Sequence, residues 1–148
     1  SHAVSRARQN HTTLSMLYLD LDGFKKINET LGHTFGDRLL QEASVRLLEC
    51  TRDNEIVARI GGDEFVVILH TSEVKAMYET EVVAKRIIST INEPFQIDGE
   101  RIQVGCNIGA AVWTPESQDT SETLRLADEA LYISKRSGKN RITFETAV

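Results

Sequence analysis

The sequence predicts an α+β domain in which helices flank one central sheet. Apolar, mostly β-branched stretches at residues 56–60 and 65–69 meet at Gly61-Gly62, a pair that tolerates the positive φ angles of a tight hairpin. Residues 14–19 are apolar at nearly every position, as in a central strand covered on both faces. Residues 37–50 and 72–91 carry apolar side chains at helical spacing, so both segments are predicted to pack on the sheet.

The remaining elements follow in order. Residues 4–9 read as the end of a helix, and Gly23 precedes a short helix that reaches Leu31. Residues 94–113 predict a strand pair turning at Asp98-Gly99, followed by an apolar strand over 108–112. A last helix over 120–137 is capped by Gly138, and 141–144 form a closing strand. The 148 residues suit a single domain, and no internal repeat, low-complexity segment or linker is visible.

Composition excludes some classes of protein. A hydrophobic content of 41% with 26% charged residues is ordinary for a soluble globular domain, and no apolar run is long enough for a membrane span. The net charge of −5 argues against a nucleic-acid-binding surface. Cys50 and Cys106 lie in a helical and a strand-like segment; we expect two reduced thiols, with a disulfide as the alternative. A cytoplasmic domain is expected.

Acidic residues stand next to two of the predicted strands. Asp63 and Glu64 follow the Gly-Gly turn, where they are either a solvated turn edge or a cation site. Asp20 ends the strand at 14–19, a position where open α/β sheets place ligands. The alternative for Asp20 or Asp22 is that it caps the helix beginning near Phe24.

Several motifs stand in order along the chain. Residues 61–65 read Gly-Gly-Asp-Glu-Phe. The segments on either side are Asp20-Leu21-Asp22-Gly23-Phe24-Lys25-Lys26-Ile27-Asn28, Gly32-His33-Thr34-Phe35-Gly36-Asp37, Asn107-Ile108-Gly109, Ala127-Asp128-Glu129-Ala130-Leu131-Tyr132 and Lys135-Arg136-Ser137-Gly138-Lys139-Asn140. Together these motifs resemble the GGDEF family, whose signature is the five residues at 61–65 and which makes cyclic di-GMP from two GTP molecules. The resemblance covers the chain from Val4 to Phe144. It implies a central mixed, mainly antiparallel sheet flanked by helices, like nucleotide cyclases and polymerase palm domains.

The resemblance also implies a metal site and a catalytic group. Asp20, the Leu21 carbonyl, Asp63 and Glu64 would bind Mg²⁺ or Mn²⁺, with Asp63, Glu64 and Lys25 as the catalytic set. The reaction would be in-line attack of a 3′-hydroxyl on the α-phosphate of GTP. Because each domain presents one GTP, a second copy of the domain is expected to be required, as a transient homodimer.

Other residues are implied to bind GTP. Phe24 would pack near the ribose or base, while Lys135 and Lys139 would contact phosphates; an ordinary enrichment of cations at a helix C-terminus is the alternative. Asn28 and Asp37 carry the donors and acceptors that read a guanine edge, with His33 in the same frame. Taken alone, Asn28 reads as a solvated helix residue and Asp37 as a helix-start acid.

A product-inhibition site is implied at Arg52 and Glu55, where the family often carries Arg-x-x-Asp, with Arg86 as a second contact. Glu55 is one methylene longer than the usual Asp, and the alternatives are an exposed loop and a solvated helix face. Residues 92–100 resemble members fused to an EAL phosphodiesterase domain. We therefore expect a piece of a longer protein with fused sensory or EAL domains, anchored to a membrane or not. Residues 1–3 are expected to be a cloning remnant and the first helix to be truncated. The alternative to catalysis is a module that binds GTP or cyclic di-GMP and regulates such a partner domain.

Overall fold

The computed structural model describes residues 2–116 and 119–145, and it confirms the α+β class. The helices are α1 (His2–Asn10), α2 (Phe24–Leu31), α3 (His33–Glu49), α4 (Ala76–Asn92) and α5 (Thr120–Arg136). The strands are β1 (Thr13–Asp22), β2 (Ile56–Gly61), β3 (Glu64–Thr71), β4 (Phe95–Ile97), β5 (Glu100–Ile102), β6 (Gly105–Trp113) and β7 (Ile142–Phe144).

Five strands form the main sheet, in the order β2-β3-β1-β6-β7. The pairings β2–β3, β3–β1 and β1–β6 are antiparallel, and β6–β7 is parallel, so the expected mixed, mainly antiparallel sheet is confirmed. Strands β4 and β5 make a separate hairpin. The central position of β1 explains its almost uninterrupted burial.

The two faces of the sheet are covered by different helices. On one face, Leu17 and Leu19 of β1 pack in the larger core, to which α2, α3, α4 and the β4–β5 hairpin contribute. On the other face, Leu14 and Met16 pack with α1, and Leu124 of α5 lies against them. Because side chains alternate along a strand, Asp20 belongs to the second face, the face that α5 covers.

Several predicted boundaries shift. Helix α3 starts at His33 rather than Asp37, immediately after Gly32 in an extended, positive-φ conformation. Helix α4 starts at Ala76 rather than at 72, because Glu79 accepts hydrogen bonds from both the main-chain N–H and the hydroxyl of Ser72 and folds that stretch into a turn.

Both cysteines are free and buried, which confirms the expectation of two thiols. Among the helices of residues 2–116 and 119–145, none combines the length and apolar composition that crossing a membrane requires.

Candidate functional site

The strand register places the predicted acids side by side at one end of the sheet. Asp20 in β1 is the direct partner of Glu64 in β3 on one side and of Asn107 in β6 on the other. Directly paired residues of antiparallel strands project from the same face, so the three side chains form a row across the sheet. Asp63 precedes Glu64 in the hairpin turn, where Gly62 adopts a φ of 53°.

Helix α5 brings a cation to this row. It packs directly on β6 at Gly109, where even one methyl group would collide with the main chain of Ala127 and Leu131. This close approach puts Lys135, in the last turn of α5, over the end of β1. The Lys135 ammonium donates to Asp20 Oδ2 at 2.6 Å, and Asn107 Nδ2 donates to Asp20 Oδ1 at 3.0 Å. Both oxygens of the Asp20 carboxylate, a residue 6% exposed, therefore have partners.

These residues border a cleft of about 750 Å³. Its walls come from the end of β1, the start of α2, the hairpin turn, β6 and the end of α5: Asp20, Leu21, Asp22, Gly23, Phe24, Lys25, Lys26, Glu29, Asp63, Asn107, Lys135 and Lys139. Lys139 Nζ lies 3.6 Å from Asp22 Oδ1. Gly23 is the N-cap residue of α2 and no side chain caps this helix, so the alternative that Asp20 or Asp22 caps it is wrong.

The electrostatics of the row follow from burial and crowding. Burial raises the pKa of Asp63, and the neighbouring Asp20 charge raises it further. Burial also raises the pKa of Glu64; Lys135 opposes this shift, while Asp128, Asp63 and Asp20 reinforce it. For Lys135, burial works to lower the pKa, but the hydrogen bond and charge of Asp20 outweigh it and the pKa is raised. The acids thus repel one another, and the positive charge of Lys135 partly offsets this repulsion.

The donor set suits a hard divalent cation. Carboxylate and carbonyl oxygens are what Mg²⁺ and Mn²⁺ take, and positive charge would relieve the mutual repulsion of Asp20, Asp63 and Glu64. Within residues 2–116 and 119–145, no three Asp, Glu, His or Cys side chains form a preassembled metal cluster. Lys135 supplies the positive charge beside Asp20 instead.

The predicted guanine-binding residues gather at the junction of α2 and α3, outside the walls of the cleft. Asn28 Nδ2 donates to His33 Nδ1 at 2.9 Å, and the Asn28 side chain lies against Gly36. Asp37 follows Gly36 in α3 and is exposed. Phe24 packs in the larger core and also borders the cleft. Asn28 is thus a half-buried residue, and Asp37 lies past the first turn of its helix.

The predicted product-site residues also come together, in a second cavity. Arg52, Glu55 and Arg86 line a space of about 230 Å³ between β3 and α4. Glu55 makes no ion pair with Arg52. Its two carboxylate oxygens accept hydrogen bonds from the main-chain N–H groups of Arg52 and His70, each at 2.9 Å.

Several residues in or beside the site were given no role from the sequence, among them Lys26 and Glu29 in the walls of the cleft. Asn107 and Asp128 lie in matching motifs but were given no role either. A polar amide in the otherwise apolar strand β6 was the available signal for Asn107. Asp128 had no comparable signal, because the sequence pattern of an acid on a helix indicates a solvated residue. In the structure, its charge raises the pKa of Glu64 and of Tyr18 across the α5–sheet interface.

Comparisons with known proteins agree with this architecture. The chain is 36% identical over 140 residues to the cyclic di-GMP phosphodiesterase PdeR of Escherichia coli, covering 95% of this chain and 20% of that protein. It is 36% identical over 143 residues to diguanylate cyclase A of Treponema denticola, covering 96% of this chain and 38% of the relative. The chain therefore spans well under half the length of either protein.

A solved structure shares the fold over the full chain. The GGDEF domain of YfiN (also called TpbB) from Pseudomonas aeruginosa superimposes with a TM-score of 0.90 at 31% identity, covering 100% of this chain and 91% of the other. The family model described as "Diguanylate cyclase, GGDEF domain" matches residues 1–141. The chain belongs to the GGDEF family.

Proposed function

We propose that this domain condenses two GTP molecules into cyclic di-GMP and two pyrophosphates. The observation that carries the proposal is the common cleft of Asp20 and Asp63 with Lys25, Lys135 and Lys139. One acid at the end of the central strand and one in the hairpin turn, in a cleft with three lysines, suit a nucleoside triphosphate with its cation. The cleft volume of about 750 Å³ lies in the range of small-molecule sites.

Diguanylate cyclases generally use a divalent metal, and the proposed ligands here are Asp20, the Leu21 carbonyl, Asp63 and Glu64. Bound there, Mg²⁺ or Mn²⁺ would supply charge neutralisation at the phosphates. Loading the site requires Lys135 to leave Asp20 Oδ2. The triphosphate offers that ammonium an alternative anionic partner, so metal and nucleotide are expected to bind cooperatively.

The chain's own residues account for proton and charge movement. In each of the two condensations, the 3′-oxygen of one GTP bonds to the α-phosphorus of the other, and the bond from that phosphorus to the bridging oxygen breaks. Asp63, the acid of the hairpin turn that borders the cleft, accepts the hydroxyl proton. Lys25, Lys135 and Lys139 stabilise the charge on the departing pyrophosphate.

Base and partner recognition complete the proposal. Asn28 and Asp37, with His33 orienting the Asn28 amide, would read the guanine edge, and Phe24 would pack near the ribose or base. Two copies of the domain must face each other for the ring to close. We expect the isolated domain to be mostly monomeric and slow, so the turnover per domain rises with protein concentration.

A second candidate is a module that binds GTP or cyclic di-GMP and regulates a fused domain. The observation that favours it is the similarity to PdeR, which is named for phosphodiesterase activity. Retention of Asp20, Asp63 and Glu64 supports catalysis over this candidate.

The test is incubation of concentrated protein with GTP and Mg²⁺, followed by chromatographic measurement of cyclic di-GMP and pyrophosphate. The parent should make them in a ratio of one to two, and Asp63→Asn should make neither. Asp53→Asn, at an exposed acid outside the cleft, is the matched control and should keep the parent rate. Binding of GTP without any product would favour the regulatory module, and product from Asp63→Asn at the parent rate would remove Asp63 from its role.

A further inference from the structure

Two asparagines connect the loop after α5 to the Asp20 carboxylate. The main-chain N–H of Asn140 donates to Asn107 Oδ1 at 2.7 Å, and Asn107 Nδ2 donates to Asp20 Oδ1 at 3.0 Å. Asn107 is 2% exposed, so water does not compete for these bonds. Asn107 borders the cleft, whereas Asn140 lies in the exposed loop that follows α5.

The direction of the connection is fixed by chemistry. A main-chain N–H can only donate, so the amide oxygen of Asn107 must face Asn140. The Asn107 NH₂ group must then face Asp20, where it can only donate to the carboxylate. A flipped Asn107 would set its NH₂ group against the Asn140 N–H and its oxygen against Asp20, and both contacts would be lost.

Asn140 is itself held in place from several sides. Its φ is 52°, and Lys139 before it has a φ of 63°, a left-handed conformation that two successive non-glycine residues adopt only when the surroundings enforce it. The Asn140 side chain exchanges two hydrogen bonds with the Asn92 amide, at 2.7 and 2.9 Å, and accepts a third from the main-chain N–H of Cys106 at 3.0 Å. The end of α4 and the start of β6 thus fix the donor that orients Asn107.

We propose that Asn107, oriented by the main chain of Asn140, is a positioning residue for Asp20. By engaging Oδ1 it fixes the carboxylate plane and leaves Oδ2, the oxygen now paired with Lys135, directed at the cleft. The inference rests on the proposed function in one respect, the role of Asp20 as a metal ligand. The same loop carries Lys139, so it sets the position of a phosphate-facing lysine as well.

The test measures Mn²⁺ binding by electron paramagnetic resonance, in the presence of a GTP analogue with a methylene between the α- and β-phosphorus atoms. Asn107→Leu keeps the side-chain volume but loses both hydrogen bonds. It should weaken Mn²⁺ binding on the order of 10- to 100-fold, the usual effect of removing a group that orients a metal ligand. Asn107→Ser replaces it if the leucine variant does not fold. Serine is too short to bridge Asn140 and Asp20, so this variant should weaken Mn²⁺ binding to a similar extent.

Two further variants separate positioning from general stability. Thr80→Val removes a fully buried hydroxyl that donates to Ser15 at the other end of the same sheet. It should lower the melting temperature yet keep Mn²⁺ affinity within about two-fold, as expected for a site it does not touch. Asn140→Gly retains the orienting N–H and suits the positive φ, but it loses the side-chain bonds to Asn92 and Cys106 that hold the loop, so its Mn²⁺ affinity should fall between those of the parent and Asn107→Leu.

The outcomes are distinct. If Asp20→Asn binds Mn²⁺ as tightly as the parent does, the proposed metal site is contradicted, and this inference with it. A parent that binds through Asp20 while folded Asn107→Leu and Asn107→Ser bind equally well would leave the proposed function standing and overturn the positioning role. An Asn140→Gly protein that binds Mn²⁺ more weakly than Asn107→Leu would show that Asn140 acts on the site by a route other than Asn107, and it would overturn the assignment of the orienting role to the main-chain N–H.

Discussion

The cleft at Asp20 and the cavity at Glu55 contain similar residues, but different donors bind the carboxylate oxygens in each. Each contains a carboxylate near basic side chains, and the sequence motifs suggested a ligand site in both. In the cleft, Asp20 is held by the side chains of Lys135 and Asn107, and one of these, Lys135, is a half-exposed cation that a phosphate could draw away. In the cavity, both oxygens of Glu55 are taken by main-chain N–H groups of Arg52 and His70.

The difference shows that a carboxylate's availability depends on what already binds its oxygens. A main-chain donor is part of the fold and moves only if the loop moves, so Glu55 ties residues 52–55 to β3. A lysine side chain can exchange partners without any change in the backbone. We therefore expect the acids of the cleft to act on ligands and Glu55 to act on stability.

The largest expected effect is at the cleft. Asp20→Asn preserves the shape of the side chain but removes the charge that would bind a cation, so the rate of cyclic di-GMP formation should fall at least about 100-fold. Asp98→Asn is the matched control, because Asp98 is an exposed acid that also pairs with a basic side chain, Arg38, at 2.9 Å. It should keep the rate within about two-fold. Equal losses in both variants would erase the distinction between cleft and surface acids.

At the cavity the expected effect is on folding. Glu55→Gln removes the charge of the carboxylate that accepts two main-chain hydrogen bonds. The loss is worth about 1.5–3 kcal/mol for a charged acceptor, which corresponds to about 3–12 °C in melting temperature. Calorimetry of Glu55→Gln beside Asp53→Asn, its exposed neighbour, checks this prediction. An unchanged melting temperature with altered inhibition by cyclic di-GMP would show that Glu55 contacts a ligand. The cleft and the cavity would then both be ligand sites, contrary to this prediction.

A pH-dependent stability difference should mark the cleft. Since burial and Asp20 raise the pKa of Asp63, the folded protein binds that proton more tightly than the unfolded chain does. Stability is therefore lost as the pH rises from the ordinary value of 3.8 through the folded pKa. Asn at this position does not ionise, so Asp63→Asn does not lose this stability. Its melting temperature without metal should therefore exceed the parent's by a few degrees at pH 7.5. The gap should narrow toward pH 3.8; a constant gap would mean that charge is not its cause.

The smallest expected effect concerns the lysine at the rim. The Lys139 ammonium lies 3.6 Å from Asp22, with most of the side chain exposed. Lys139→Arg would offer phosphate a forked donor, lowering KM for GTP about two- to three-fold with little change in kcat. Steady-state kinetics check this, with Lys85→Arg, in an exposed ion pair on α4, as the control. A KM that rises would show that the point charge suits the site better.

The sequence predicted the elements better than the contacts between them. Apolar runs and the Gly-Gly pair are local signals, which is why β1 and the β2–β3 hairpin were found near their true bounds. The pairing of Lys135 with Asp20 depends on how α5 packs over Gly109, and that of Asn107 with Asp20 depends on strand register. Neither is encoded in local periodicity. Nor could spacing show that the oxygens of Glu55 are occupied by main-chain donors.

The central claim is that Asp20 and Asp63, distant in sequence, act as one cation site. A double-mutant cycle of Mn²⁺ affinity, measured by electron paramagnetic resonance with the methylene GTP analogue, tests it most directly. Asp20→Asn and Asp63→Asn should each weaken binding strongly, and the double variant should be little weaker than either, because the site is already lost. Affinity in Asp20→Asn equal to the parent's, or losses that simply add, would contradict a shared site.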